Sequence, residues 1–587
     1  MTLLLPLVFL FLFPGSSGAD EAPPADVGEV GFGKAEASEP DNQAIITEAD
    51  ILAMKVTKLH DALNQVPGVS ATNSSISIHG SSKVRVFVDG TPLNDPTAGH
   101  GSINFDLVAL QSVEKIVIIK DSGGLRYGQD ASAGVVLITT KTFGSRKPSG
   151  QLRVWYGTQD SFKADGSVSA SFGQWGVSAK AGYDKTDGYK INNASRRLKG
   201  GFKIGRSFGE NKSVFFSLDG QSERKGMSGY PESPTPNAKQ KGHNYSATLA
   251  GEWKGLSNNL YYNVGRVANR DESRNLDQSL TVAEYGDSLT FSSSAGPLNY
   301  SLGAGFRGMT AESSGFGRKT ESVVHFYGAG NLKPFPRLPL TLSAGLRYNL
   351  NSGFANSFNP EGAVSLRKGM FEVVYKINRA VNTPTFQQRF NHSSSTVPNP
   401  DLSIEKVLSQ NLSVVFEPNN RVTLNASVYR NALKGRISYV RDAGSSTGQY
   451  QNLGTASYEG FDFGFSLKFP KYLELKGRYA YLVAKDEDLD LFLTGQSRHY
   501  ASLEVLAHPT EKAAAALKLD YRDRCFTDRL NTARMPGRLL VSARAEYDFG
   551  FATLFVDGTN ILGKDYKYAD GLEGPPMELM FGLKRDF

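Results

Sequence analysis

The 587-residue chain has a single cysteine, Cys525. That excludes a disulfide framework and any cysteine-built metal cluster within one chain. Past the first nineteen residues, no apolar run reaches the ~18 residues that a membrane-spanning helix needs. If the chain enters a bilayer, it must do so as a closed barrel, where backbone groups pair from strand to strand. The formal charge of +7 is spread without a basic block, which leaves nucleic-acid binding little support. No G-x-x-x-x-G-K-[ST] stretch occurs, so the chain has no phosphate-cradling loop of its own. No fixed repeat period runs through it, which disfavours solenoids and propellers.

What is present suits strands and turns: 61 Gly, 35 Phe and 25 Tyr. Residues 1–19, MTLLLPLVFLFLFPGSSGA, read as a secretory signal peptide, an apolar run followed by small residues. Residues 20–44 are rich in Pro, Gly, Ala and acids, the composition of a flexible arm. Val27, Val30 and Phe32 interrupt that pattern and could instead form a short strand that adds to a partner's sheet edge.

Residues 45–145 have the texture of a small αβ domain. Leu59, Ala62, Leu63 and Val66 share one face of a short helix, which Pro67-Gly68 stops. In VRVFVDG (Val84–Gly90), period-two alternation runs into Asp-Gly, a strong hairpin signal. ISIHG and VEKIVIIKD read as further strands, and GVVLITTK (Gly134–Lys141) as a strand buried on both faces. From Gly150 to Phe587 the pattern changes to longer alternating segments such as LTLSAGLRY, GFDFGFSLKF and LELKGRYAYL. Each has one apolar or aromatic face and one face of small, polar or charged residues, the signature of outer-membrane strands. MELMFGLKRDF ends the chain with Leu579, Phe581, Leu583 and Phe587 on one face, and Arg585 placed where it can snorkel.

Several of these stretches resemble the motifs of TonB-dependent outer-membrane receptors. In the front domain they are VPGV (Val66–Val69), SIHG (Ser77–Gly80), VDGTPL (Val88–Leu93), VEKIVIIKD and YGQDASAGVVLITTK (Tyr127–Lys141). Later come NTPTFQQRF (Asn382–Phe390), VPNPDL (Val397–Leu402), YQNLGTASYEGFDF and TNILGKDY. The resemblance implies a mainly β protein: a transmembrane antiparallel β-barrel of 22 strands filled by an N-terminal αβ plug, in the outer membrane of a Gram-negative bacterium. It implies a TonB contact on the arm, for which Gly28, Glu29, Val30, Gly31, Phe32, Gly33 and Lys34 are the candidates. It also implies assembly by the barrel machinery through the strand ending in Phe587, with lipid as neighbour, no nucleic acid and a monomeric working state. The chain departs from the family pattern where His79 replaces the IRG arginine and Lys120-Asp121 replaces a later RG. Lys120 and Arg126 are the candidates for tethering the plug to the barrel wall.

The function this implies is active import of a scarce metal chelate, a ferric siderophore or cobalamin, with the chelate as ligand and no covalently bound cofactor. Asn94, Asp95, His100 and His392 are the candidate ligand-binding residues. A haem receptor using His100 and His392 as axial ligands is an alternative, since imidazole suits haem iron. A passive porin or adhesin is another, disfavoured because porins lack a folded front domain with these motifs. No nucleophile–base constellation stands out, and the acidic run DEDLD (Asp486–Asp490) reads as a solvated loop, so no catalytic residue is expected.

Overall fold

The computed structural model describes residues 43–587, apart from 55, 57, 99–101, 143–145, 394, 442–444, 471 and 570. The front domain is built on a five-stranded sheet. Its order is Gln43–Thr47, Val113–Ile119, Gly134–Thr140, Val84–Val88 and Thr91–Pro92. Gly134–Thr140 lies at its centre, antiparallel to Val113–Ile119 and parallel to Val84–Val88. A strand so placed is covered on both faces, which is why its sequence runs apolar without alternation. The hairpin turn forms at Asp89 (φ 50°) and Gly90 (φ 83°), two successive left-handed residues that Asp-Gly supplies at little cost.

Two short helices flank the sheet. Glu48–Met54 was not evident from apolar periodicity, yet T-E-A-D is a capping signal. The Thr47 amide donates to the Asp50 carboxylate at 2.9 Å and the Asp50 amide to the Thr47 hydroxyl at 3.2 Å. The second helix, Leu59–Leu63, ends before Val66, although Val66 still packs in the core beside Leu59, Ala62 and Leu63.

Around this plug, 22 long antiparallel strands close into a barrel. The last, Glu578–Asp586, pairs with the first, Ser149–Gly157. Phe587 completes the seam, exchanging backbone hydrogen bonds of 2.8 and 3.0 Å with Gly150. The alternation has a clear sense. In the first strand Leu152 and Tyr156 are 51% and 55% exposed, whereas Arg153 and Trp155 between them are buried. Most large apolar side chains on the barrel strands face outward and most polar ones face the lumen, the inverse of a soluble core. Connections at the end where Ser149 opens the first strand and Phe587 closes the last are tight. At the opposite end they lengthen, as in 383–404, 523–537 and 560–577. The 22-residue strand Gly448–Phe469 exceeds the ~9–11 residues needed to span a bilayer, so it extends beyond it.

Candidate functional site: a vestibule above a tethered plug

The long connections and the plug enclose a cavity of about 1220 Å³. That exceeds the ~300–1,000 Å³ of ordinary small-molecule sites. Plug residues Ser70–Ser77 and His79–Lys83 line one side. Tyrosine is the commonest residue on the barrel side: Tyr429, Tyr458 and Tyr500 from barrel strands, Tyr439 and Tyr450 where strands leave the barrel, and Tyr189, Tyr566 and Tyr568 from the outer connections. Partial burial pushes the Tyr189 phenol up to about 12, and burial raises those of Tyr566 and Tyr568, so all three remain neutral hydrogen-bonding groups.

Six cations and four acids line the cavity. Lys58, Lys83, Arg436, Arg522, Arg529 and Arg538 face Asp61, Glu405, Asp486 and Asp520. Most are paired: Asp486 stands 3.9 Å from Arg436 and 4.0 Å from Arg529, Asp520 3.9 Å from Arg522, and Glu405 3.8 Å from Lys83. Arg538 donates to the Lys567 carbonyl at 2.8 Å. The acidic run seen in the sequence thus has a part in the wall, since Asp486 holds two arginines in place.

Below the vestibule, the plug is tied to the barrel by buried ions. Lys120 donates to Asp462 of the strand Gly448–Phe469 at 2.7 Å. His79 approaches the other oxygen of the same carboxylate at 3.4 Å without hydrogen-bond alignment, and its ring stacks on Tyr429 at 3.7 Å between centroids. Ser427 also donates to Asp462. Both departures from the family arginines therefore converge on one aspartate. Burial holds the His79 imidazole below its ordinary pKa, against the opposing pull of Asp462. Asp121 meets Lys376 of the barrel at 3.4 Å, reversing the sense of the pairing beside it. A second cluster joins Arg85 of the plug to Glu284 (3.8 Å), which also binds Arg307 (2.9 Å) and Tyr261 (3.0 Å). Close approach replaces charge at Gly464, where a Cβ would meet Pro67 Cγ at 2.3 Å.

The candidate residues read from the sequence are not brought together. Arg126 donates to Ser301 of the barrel at 3.1 Å, and its carbonyl accepts from Arg347 at 3.1 Å. Asn94 serves the plug fold: its side chain accepts from the Val86 amide and donates to the Val84 carbonyl, each at 2.8 Å. Asp95 accepts from the amide and hydroxyl of Thr97, and burial raises its carboxyl pKa. Neither lines the vestibule. His392 is exposed, between the helix Phe386–Phe390 and the strand Thr396–Val397, and is also absent from the lining. His100 and the segment Gly28–Lys34 lie outside the described residues. The tyrosines and Asp462 escaped the sequence reading. Asp462 falls on the polar, lumen-facing side of the alternation in GFDFGF, where an acid is ordinary, so nothing local singled it out.

Residues 115–561 match the family model described as TonB dependent receptor-like, beta-barrel, and residues 35–135 match the TonB-dependent Receptor Plug Domain. The chain belongs to the TonB-dependent receptor family. Receptors of this family sit in the outer membrane and are transporters rather than enzymes. The vitamin B12 transporter BtuB of Photobacterium profundum is 23% identical over 560 residues, covering 89% of each chain. That of Vibrio vulnificus strain CMCP6 is 26% identical over 250 residues, covering 40% of this chain and only 39% of the relative. Among solved structures, the fold resembles a mutant of the ferric enterobactin receptor PfeA from Pseudomonas aeruginosa. The TM-score is 0.78 at 15% identity, covering 96% of this chain and 100% of that one. The FrpB iron transporter of Neisseria meningitidis gives a TM-score of 0.79 at 14% identity, covering 93% and 100%.

Proposed function

We propose that this receptor imports a bulky metal chelate through the vestibule, energised by TonB pulling on the arm, and that its ligand is a corrinoid of the cobalamin type. The observation that carries this reading is the vestibule's chemistry: large, rich in tyrosine and with most of its charges paired. A ferric tris-catecholate is strongly anionic and would call for unpaired cations over its whole surface, whereas four of the six cations in the vestibule itself stand beside carboxylates. Cobalamin presents a broad face of neutral amides, which phenols and paired arginines can hydrogen-bond without a desolvated ion. The vitamin B12 transporter of Photobacterium profundum, aligned over 89% of the chain, supports the same choice, with ferric siderophores next in order. A haem reading draws no support from His392, which lies outside the lining. A passive pore would need an open lumen, and here buried ion pairs hold a folded domain across it.

Equilibrium titration of the purified receptor with cyanocobalamin, a panel of ferric siderophores and haemin tests the ligand. Cyanocobalamin should bind most tightly, and removing Tyr450 and Tyr566 together (both to Ala) should weaken it at least tenfold, about 1.4 kcal/mol. Preferential siderophore binding, or haemin binding lost on His392→Ala, would overturn the corrinoid assignment. For the energy source, Val30→Pro removes a backbone donor needed for strand addition, so uptake should fail while surface binding persists.

A further inference from the structure

Beside the vestibule lies a smaller cavity of about 200 Å³, and Leu482, Phe492 and Gln496 line both. It differs from the vestibule in how its cations are held. Arg498, Arg524 and Arg534 line it together with His499, against a single acid, Asp523. Among the described residues, none of the three arginines has a carboxylate within 4.0 Å, unlike Arg436, Arg522 and Arg529 next door. Two of the three are held by aromatic rings instead. The Arg498 guanidinium sits 3.8 Å above the centroid of Phe492, and that of Arg534 sits 4.6 Å from Phe526. Phe492 and Phe526 are themselves stacked, 5.9 Å apart and 11° from parallel.

The stack is anchored through the backbone. The Phe492 amide donates to the Asn531 side chain at 2.7 Å, and Asn531 donates back to the Phe492 carbonyl at 2.9 Å. The Gly495 amide donates to the Phe526 carbonyl at 2.8 Å. Lys485 also approaches Phe492, but its charge is met by Asp490 at 2.6 Å. Stacking fixes a guanidinium plane while leaving its N–H edge able to donate, and a planar fork is the donor that matches a phosphate.

We infer that this annex binds a phosphate ester, and that the phosphate belongs to the ligand held in the adjoining vestibule. The wall that the two cavities share argues for the ligand over a phosphorylated sugar of outer-leaflet lipopolysaccharide. The inference rests on the reading of the vestibule as the ligand site. It divides the work: neutral tyrosines take up the amide-bearing body, and unpaired arginines take up the one anionic group.

Three corrinoids separate the phosphate from the rest of the ligand: cobinamide, cobinamide phosphate, and cyanocobalamin, which carries its phosphate as a diester. Their affinities for the full receptor are to be compared with those for an Arg498→Gln, Arg534→Gln variant, whose folding is checked by heat-modifiable migration. Both arginines are exposed, so the barrel should assemble normally. Cobinamide phosphate should bind about tenfold more tightly than cobinamide to the unmodified receptor, a charge-assisted increment. In the variant the two should bind alike, with cobinamide itself unchanged. Equal affinities in the unmodified receptor would overturn the inference. So would an arginine-dependent difference seen only with purified lipopolysaccharide, which would assign the annex to lipid. Line broadening of the 31P signal of methyl phosphate, with and without the two substitutions, separates this inference from the corrinoid reading. Arginine-dependent broadening without corrinoid binding would sink that reading but leave the phosphate site standing. No broadening with either protein would sink the site.

Discussion

The plug and the barrel are built from similar residues and stabilised in opposite ways. In the plug, Ile78, Ile116, Ile118, Val86 and Val136 are wholly enclosed by other protein atoms. In the barrel, Leu517, Phe326 and Phe461 lie on the outside, while Asn349, Asn359 and Asp462 are almost completely buried. One region excludes water by packing its apolar groups together, the other by presenting them to lipid. Burial by protein therefore means different things for the same side chain in the two regions.

A charge introduced on each apolar surface should reveal that difference. Val136→Asp places an unpaired carboxylate in the middle strand of the plug sheet, where no solvent reaches. A cost above about 4 kcal/mol is expected, enough to unfold the plug inside an intact barrel. Leu517→Arg, on the outer face of Ala513–Arg522, should cost only ~2–4 kcal/mol, because a lipid-facing arginine can snorkel. Calorimetry of the purified receptor reads both, and cell permeability to large antibiotics reports loss of the plug. Equal penalties for the two would contradict the contrast.

The seam between the regions falls between those two in size. Asp462 neutralises Lys120 and faces His79 in a site closed to water. Asp462→Ala strands the Lys120 ammonium, and removing one partner of a buried pair costs about 3–5 kcal/mol. Adding Lys120→Met should recover much of that loss, because an apolar pair leaves no charge unsatisfied. If the double variant were as damaged as the single one, the tether would depend on something other than this pair.

Much of the fold could be read from the sequence, because its signals are local. VRVFVDG and GVVLITTK each carry their strand within a few residues, and the outward face of Gly448–Phe469 can be read from alternate aromatics. The helix Glu48–Met54 was overlooked because its signal lies in its cap and not in apolar periodicity. The site was much less legible. Lys120 stood out in the plug, but its partner lies 342 residues away, and nothing local names that distance. The vestibule tyrosines come from strands and connections between Tyr189 and Tyr568, so only barrel closure brings them together. Asn94 and Asp95 sit in a plug loop of the right kind, yet their side chains are occupied in shaping that loop.

The smallest effect expected is the response of the seam to acid, and it follows from replacing a guanidinium by an imidazole. An arginine at position 79 would stay charged throughout, whereas His79 titrates. Its surroundings are mixed: the Asp462 carboxylate draws a proton on, Lys120 repels it, Tyr429 covers the ring, and burial disfavours the charged form most strongly. With the folded pKa below the ordinary value near 6.5, the unfolded chain binds the proton first as pH falls. The stabilisation is therefore fully present at neutral pH and is lost as pH drops below about 6.5 toward the folded value. His60, in the plug helix, is also held down by burial and adds to the same slope. Plug unfolding followed from pH 7.5 to pH 5 should show stability declining. His79→Gln should flatten part of that decline, and His60→Gln added to it should flatten more. A slope unchanged by His79→Gln would mean that His79 does not titrate differently in the folded plug, and that the seam is insensitive to acid at this position.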